Sequence, residues 1–135
     1  MMRHALTFLA LMLLAMPAQA ARPLPEAKLM AVYFYADWCP NCKALSPIIG
    51  EVRSDTALQK APVLFVTLDL TDKPRIQQTL LLSTALGIGD YVRAQGSATG
   101  YVALLDAKTK RELARFDRAN NAQTILRTIN EKLGD

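Results

Sequence analysis

The chain has 135 residues, 51% of them hydrophobic, with 16 Lys and Arg against 12 Asp and Glu, one His and two Cys. The formal charge of +4 is spread along the chain with no basic stripe interleaved by aromatics, which argues against a nucleic-acid partner. With His4 as the only imidazole and a single Cys pair, Ser/His and Cys/His catalysis and four-ligand zinc sites within one chain are poor readings.

The first twenty residues read as a secretory leader. Arg3 and His4 supply a short positive start, Ala5 to Met16 an apolar run too short to span a bilayer, and Pro17 breaks it. Ala18-Gln19-Ala20 has the small-x-small pattern of a cleavage site. The reading is therefore a leader at 1–20 and one domain at 21–135, periplasmic or secreted, and His4 departs with the leader. No later apolar run is long enough for a membrane span.

After a Pro-bearing lead-in at 21–28, residues 29–36 (Leu-Met-Ala-Val-Tyr-Phe-Tyr-Ala) predict a strand buried on both faces. Ala44, Leu45, Ile48, Ile49 and Val52 recur at helical spacing and predict a helix over 40–60, kinked at Pro47. Residues 62–70 predict a second buried strand. Thr71 or Asp72 then caps a helix with Pro74 in its first turn, which runs to about Leu86 and ends at Gly87. Its leucines, Leu80 to Leu82 with Leu86, read as core. Residues 87–100 are Gly-rich and polar around a short helix at Asp90–Gln95. A third strand follows at 101–105, a turn at 106–110, an edge or hairpin strand at 112–116, and a helix capped by Asn120 or Asn121 that carries Ile125, Leu126, Ile129 and Leu133. The order β-α-β-α-β-β-α predicts an α/β fold, a mixed sheet with helices on both faces.

The two cysteines sit where the first strand meets the first helix. A helix N-terminus offers unpaired N–H groups and the positive end of the dipole, so a thiolate at Cys39 is favoured there. Cys42, one turn on, can reach back and resolve a mixed disulfide. Pro40 falls where a missing N–H costs nothing. A static disulfide over so short a ring would remove little unfolded-chain entropy and makes a poor staple. The dithiol itself is the redox centre in this reading, with no organic cofactor and no resident metal. A competing reading is a metal-binding module in which soft thiolates take Cu(I) or share a cluster between two chains.

The stretch from Val32 to Lys43, with Trp38-Cys39-Pro40-Asn41-Cys42-Lys43 at its end, resembles the active-site segment of thioredoxin-like proteins, and Pro47 matches the kinking proline of that family's active-site helix. The Tyr35-Ala-Asp-Trp-Cys39 wording and Val66 to Asp72 look most like the C-terminal thioredoxin-like domain of DsbD-type periplasmic electron carriers. The resemblance implies the thioredoxin-like fold and thiol–disulfide exchange with protein thiols and disulfides, with a membrane electron carrier as one partner it allows. It departs at two places: Tyr33 stands where the family has a buried acid, and Gly100 where it has a cis-proline facing the dithiol. The stretch 88–98 also exceeds the family's usual length.

The candidate catalytic residues are thus Cys39 and Cys42, and the candidate substrate contacts are Trp38, Pro40, Thr99 and Gly100. Trp38, the sole Trp, is a flat contact surface beside the nucleophile. Tyr33 and Tyr35 alternate with Phe34 and read as core; Asp37 and Lys43 read equally as tuning charges or solvated surface. Residues 88–100 read as a rim that selects partners; if Gly100 holds the family's cis-proline place, a Gly100→Pro variant is expected to stay folded and to exchange disulfides more like a thioredoxin.

Overall fold

A computed structural model describes residues 26–134. The leader reading at 1–20 lies outside the described residues. Strand β1 (Leu29–Tyr35) is buried up to its last residue, as its unbroken apolar run requires. It leads into α1 (Pro40–Ser54). A 3-10 turn (Leu58–Lys60) precedes β2 (Val63–Asp69) and α2 (Lys73–Ala85). Then come α3 (Gly89–Gln95), β3 (Tyr101–Asp106), β4 (Glu112–Phe116) and α4 (Ala122–Gly134). The strand order is β2-β1-β3-β4. Strands β1 and β2 run parallel, while β3 is antiparallel to both β1 and β4; Val32 pairs with Val66 on one side and Ala103 on the other.

Side chains of a strand alternate between faces, so β1 feeds two cores. Leu29, Ala31 and Tyr33 meet Leu45, Ile49 and Val52 of α1 and Ile125 and Ile129 of α4. Met30, Val32 and Phe34 meet Val66, Leu68, Ile88, Val92 and Tyr101 on the opposite face. The expected mixed sheet with helices on both faces is the one observed, and Asn121 caps α4 by accepting from Thr124 N–H at 2.8 Å.

Three expectations need correction. The helix expected over 40–60 stops at Ser54, because Asp55 turns to extended backbone and its carboxylate accepts from Leu58 N–H at 2.8 Å, starting a new turn. Strand β2 is an edge strand rather than one buried on both faces: only Val66 and Leu68 are fully buried, and Leu64 and Thr67 are exposed. The leucine stripe of α2 is not core. Leu80, Leu81 and Leu82 are 44%, 74% and 42% exposed, whereas Thr79 and Ser83 face inward. The cause lies in the hydrogen bonding: Thr79 Oγ1 donates to Asp69 O at 2.9 Å and Ser83 Oγ to Leu80 O at 3.0 Å, so small, self-satisfied hydroxyls occupy the face against the sheet edge. Leu86 alone of the four packs against the core.

Candidate redox site

Buried Ala36 closes β1, and its carbonyl accepts from Cys39 N–H at 3.2 Å. That turn sets Cys39 at the N-cap of α1 in extended backbone, with Pro40 in the first helical turn. The Cys39 sulfur takes the place of the usual capping oxygen: it accepts from Cys42 N–H at 3.2 Å. Cys42 is fully buried on α1, and its thiol points to the Phe34 carbonyl at 3.7 Å. Both cysteines are free thiols.

The two sulfurs differ in what surrounds them. Burial pushes the Cys39 thiol up, but hydrogen bonds from the Cys42 thiol, the Thr99 hydroxyl and the Cys42 and Asn41 N–H groups outweigh it, holding Cys39 below the ordinary thiol value. Cys42 is pushed up, first by burial and then by the bond it donates to Cys39. One sulfur is therefore poised as a thiolate and the other as its proton-bearing neighbour.

Trp38 is 56% exposed and Asp37 is exposed beside it. The indole N–H donates to Thr71 O at 3.1 Å and Asp37 N–H donates to Thr71 Oγ1 at 3.0 Å, so the loop before the dithiol is tied to the start of α2. Pro40 is exposed at the mouth of α1, as is Lys43. Tyr33 is buried in the core below Cys42, as its alternation implied, yet its hydroxyl is not spent on packing: it donates to Cys42 O at 3.0 Å and shares a hydrogen bond with Ser46 Oγ at 3.0 Å. Burial raises its phenol to about 12, so it stays neutral.

Opposite α1 lies the Thr99–Gly100 turn. Gly100 N–H donates to Phe34 O at 2.8 Å, the same carbonyl that Cys42 approaches. A Cβ at Gly100 would lie 3.3 Å from Cys39 Sγ and 2.6 Å from Asn41 Cβ. The structure thus brings together Cys39, Cys42, Thr99 and Gly100, with Trp38 and Pro40 exposed at the rim. The geometry at Gly100 argues against a folded Gly100→Pro variant, which is expected only if Gly100 holds the cis-proline place. Gly100 has φ of +89°, whereas proline is locked near −65° and has no N–H for Phe34. The peptide bonds of the described residues are all trans. The short helix expected at Asp90–Gln95 is α3, and Ile88 before it and Val92 within it are buried against the sheet, so 88–100 is not a solvated excursion. Thr71, Asn41 and the Phe34 carbonyl were not legible as site groups, since a backbone carbonyl carries no sequence signal and Thr71 reads only as a helix cap.

A family model for thioredoxin matches residues 19–84, the part of the chain that holds β1, the dithiol and most of α2. That match, over just under half of the chain, makes it similar to the thioredoxins. Among solved structures, a protein disulfide isomerase candidate from Bacteroides thetaiotaomicron is similar at 18% identity and TM-score 0.52, covering 82% of this chain and 76% of that one. A malarial protein is similar at 18% identity and TM-score 0.50, with 78% and 98% covered. Thioredoxin 2 of Pseudomonas aeruginosa, solved reduced, shares 21% identity at TM-score 0.48, with 82% and 83% covered. No curated protein matches. The first two structures speak for the fold alone; the family match together with the free Cys39–Cys42 pair makes this thioredoxin-like protein a thiol–disulfide oxidoreductase.

Proposed function

We propose that the chain is an exported oxidoreductase that exchanges disulfides with protein partners, Cys39 attacking and Cys42 resolving. The observation that carries the reading is the N-cap role of Cys39: its sulfur receives Cys42 N–H at the helix mouth while Cys42 lies wholly buried behind it.

In the reducing direction the Cys39 thiolate attacks one sulfur of a partner disulfide. That S–S bond breaks, a mixed disulfide forms, and the partner's other sulfur leaves as a thiolate that takes a proton from solvent. Cys42 then loses its proton and attacks Cys39 Sγ. The Cys39–Cys42 bond forms, the mixed disulfide breaks, and the second partner thiol departs. The partner gains two electrons and the dithiol loses them; the reverse order oxidises a partner. Every step uses sulfur alone, so no cofactor is required.

Trp38 and Pro40 supply the exposed contact surface, and Thr99 and Gly100 the facing backbone, against which a partner segment would lie. Export is supported by the leader-like residues 1–20 and places exchange in the periplasm or outside the cell. The DsbD-type wording of Tyr35 to Cys39 supports a membrane electron carrier as one partner.

The test is trapping. Cys42→Ser should accumulate mixed disulfides with exported proteins on diagonal gels, and Cys39→Ser should not, since only Cys39 starts the exchange. Alkylation of each single-Cys variant against pH should place Cys39, not Cys42, below an ordinary thiol. Equal trapping by both variants would overturn the roles. Metal bound in stoichiometric amount by the anaerobically purified chain, with no exchange, would favour the Cu(I) or shared-cluster reading instead.

A further inference from the structure

The site's far wall is held by a polar cluster that the exchange chemistry leaves unused. Arg115 of β4 grips Glu112 through Nε and Nη2, both at 2.8 Å. The same Nη2 donates to Gln95 Oε1 at 3.0 Å, and Tyr91 OH donates to Glu112 Oε2 at 2.5 Å. Gln95 and Tyr91 belong to α3, so the cluster pins α3 to the edge of the sheet. Arg115 holds Glu112 below the ordinary carboxylate range, and burial pushes Tyr91 up, so the pair stays charged and the phenol neutral around neutral pH.

The cluster reaches the dithiol through one residue. The Arg115 guanidinium lies 4.2 Å above the Tyr101 ring, and Tyr101 OH donates to Gln95 Oε1 at 3.2 Å. Tyr101 follows Gly100 directly, and its ring stacks on Phe34 with centroids 4.7 Å apart and planes 15° from parallel. Phe34 is the residue whose carbonyl accepts from Gly100 N–H and faces the Cys42 thiol. Tyr101 is thus clamped between a cation on one face and Phe34 on the other, and its own backbone continues the turn that touches Cys39. Cation–π contact of this kind contributes more when it is sheltered from water, and Tyr101 is 7% exposed.

We propose that Arg115 and Glu112 are positioning residues of the redox site, holding the Thr99–Gly100 turn against the Cys39 sulfur through Tyr101 and thereby setting the reactivity of Cys39. The inference rests on Cys39 as the attacking thiol. Released from the clamp, the turn moves off Cys39, the Thr99 hydroxyl no longer supports the thiolate, and the thiol becomes more ordinary. The bidentate grip on Glu112 needs a guanidinium, which a lysine cannot supply.

The experiment measures the alkylation rate of Cys39 against pH, and thermal melting, in the full chain and in Arg115→Met, Arg115→Lys, Glu112→Gln and Tyr91→Phe variants. The expected result is an upward move of the profile by about one pH unit in Arg115→Met and Glu112→Gln, hence roughly tenfold slower alkylation at a fixed pH below the thiol's own value. Arg115→Lys should fail to rescue it, and Tyr91→Phe, which removes one hydroxyl, should move it less. Arg127→Gln, which breaks an exposed ion pair on α4, should leave it in place. A profile unchanged in folded Arg115→Met and Glu112→Gln, even with lowered melting temperatures, overturns the proposal. Should those two not fold, an unchanged profile in Tyr91→Phe overturns it. If Cys39 of the unaltered chain already titrates as an ordinary thiol, what fails is its role as the attacking thiol, a distinguishable outcome.

Discussion

Helices α1 and α2 begin alike and are buried unlike. Each follows a strand, carries a proline in its first turn, and is capped by a side chain that accepts an N–H three residues on: Cys39 Sγ from Cys42 N–H at 3.2 Å, Asp72 Oδ1 from Arg75 N–H at 3.0 Å. The cap of α1 is a sulfur, nearly buried, facing the Gly100 backbone. The cap of α2 is an exposed carboxylate, ion-paired with Arg75 at 2.5 Å. Behind the caps, α1 turns Leu45, Ile49 and Val52 into the core, whereas α2 turns Thr79 and Ser83 inward and its leucines out. The same capping geometry therefore makes a reactive centre only where the helix is seated on the middle of the sheet. Burial there raises the cost of a charge, and directed hydrogen bonds then decide which sulfur carries it.

The largest effect should come from the seated helix. Leu45 is fully buried beneath the dithiol. Leu45→Ala should cost about 2–5 kcal/mol of stability, from lost burial plus the cavity left behind. Urea unfolding followed by circular dichroism reads it directly. A loss below about 1 kcal/mol, in the range of surface substitutions, would mean that α1 is no better anchored than α2, and the contrast between the two would fail.

A smaller effect is expected where the α1 cap is faced by backbone. Gly100→Ala puts a side chain at φ +89° and a Cβ 2.6 Å from Asn41 Cβ. The left-handed backbone alone should cost about 1–3 kcal/mol, and the crowding must be relieved by moving Asn41 or the turn. Alkylation of Cys39 should change with it, because the new Cβ would sit 3.3 Å from the sulfur. Wild-type stability together with a wild-type alkylation profile would show that the turn does not constrain the cap.

Much of this was legible in the sequence, and the limits have physical causes. Strand β1 reads correctly because a central strand must be apolar on both faces. The Trp38 to Lys43 segment reads correctly because its geometry is local: strand end, turn, cap and first turn lie within a few residues. Strand β2 opens on an equally apolar run, Val63 to Val66, but lies at the edge of the sheet, and strand order is a long-range property that its own residues do not encode. The end of α1 was missed because residues 55–60 hold no Gly or Pro to mark a stop, while Asp55 caps a separate turn. Gly100 could be placed opposite Cys39 from the resemblance, but its positive φ depends on the Phe34 carbonyl across the sheet. Arg115 and Glu112 read as an ordinary edge strand, since nothing nearby in sequence reveals Tyr91 and Gln95 as their partners.

The smallest effect should come from the leucines of α2, and it is the sharpest test of the comparison. Leu81 is the most exposed of them at 74%. A helix with Leu80, Leu81 and Leu82 in succession reads as core on hydropathy alone. If that reading held, Leu81→Gln would bury an amide and cost several kcal/mol. On the observed face the side chain already lies largely in water, and Gln and Leu differ little in helix propensity. Leu81→Gln should therefore shift stability by no more than about 0.5 kcal/mol in either direction. The expected urea midpoint is close to that of the unaltered chain, with an unchanged slope, since the surface exposed on unfolding is almost the same. The α2 cap lies outside the substitution, so Trp38, held through Thr71, should keep its fluorescence. A loss above about 2 kcal/mol would require Leu81 to be buried in the protein in solution, and the distinction between the seated and the exposed helix would have to be withdrawn.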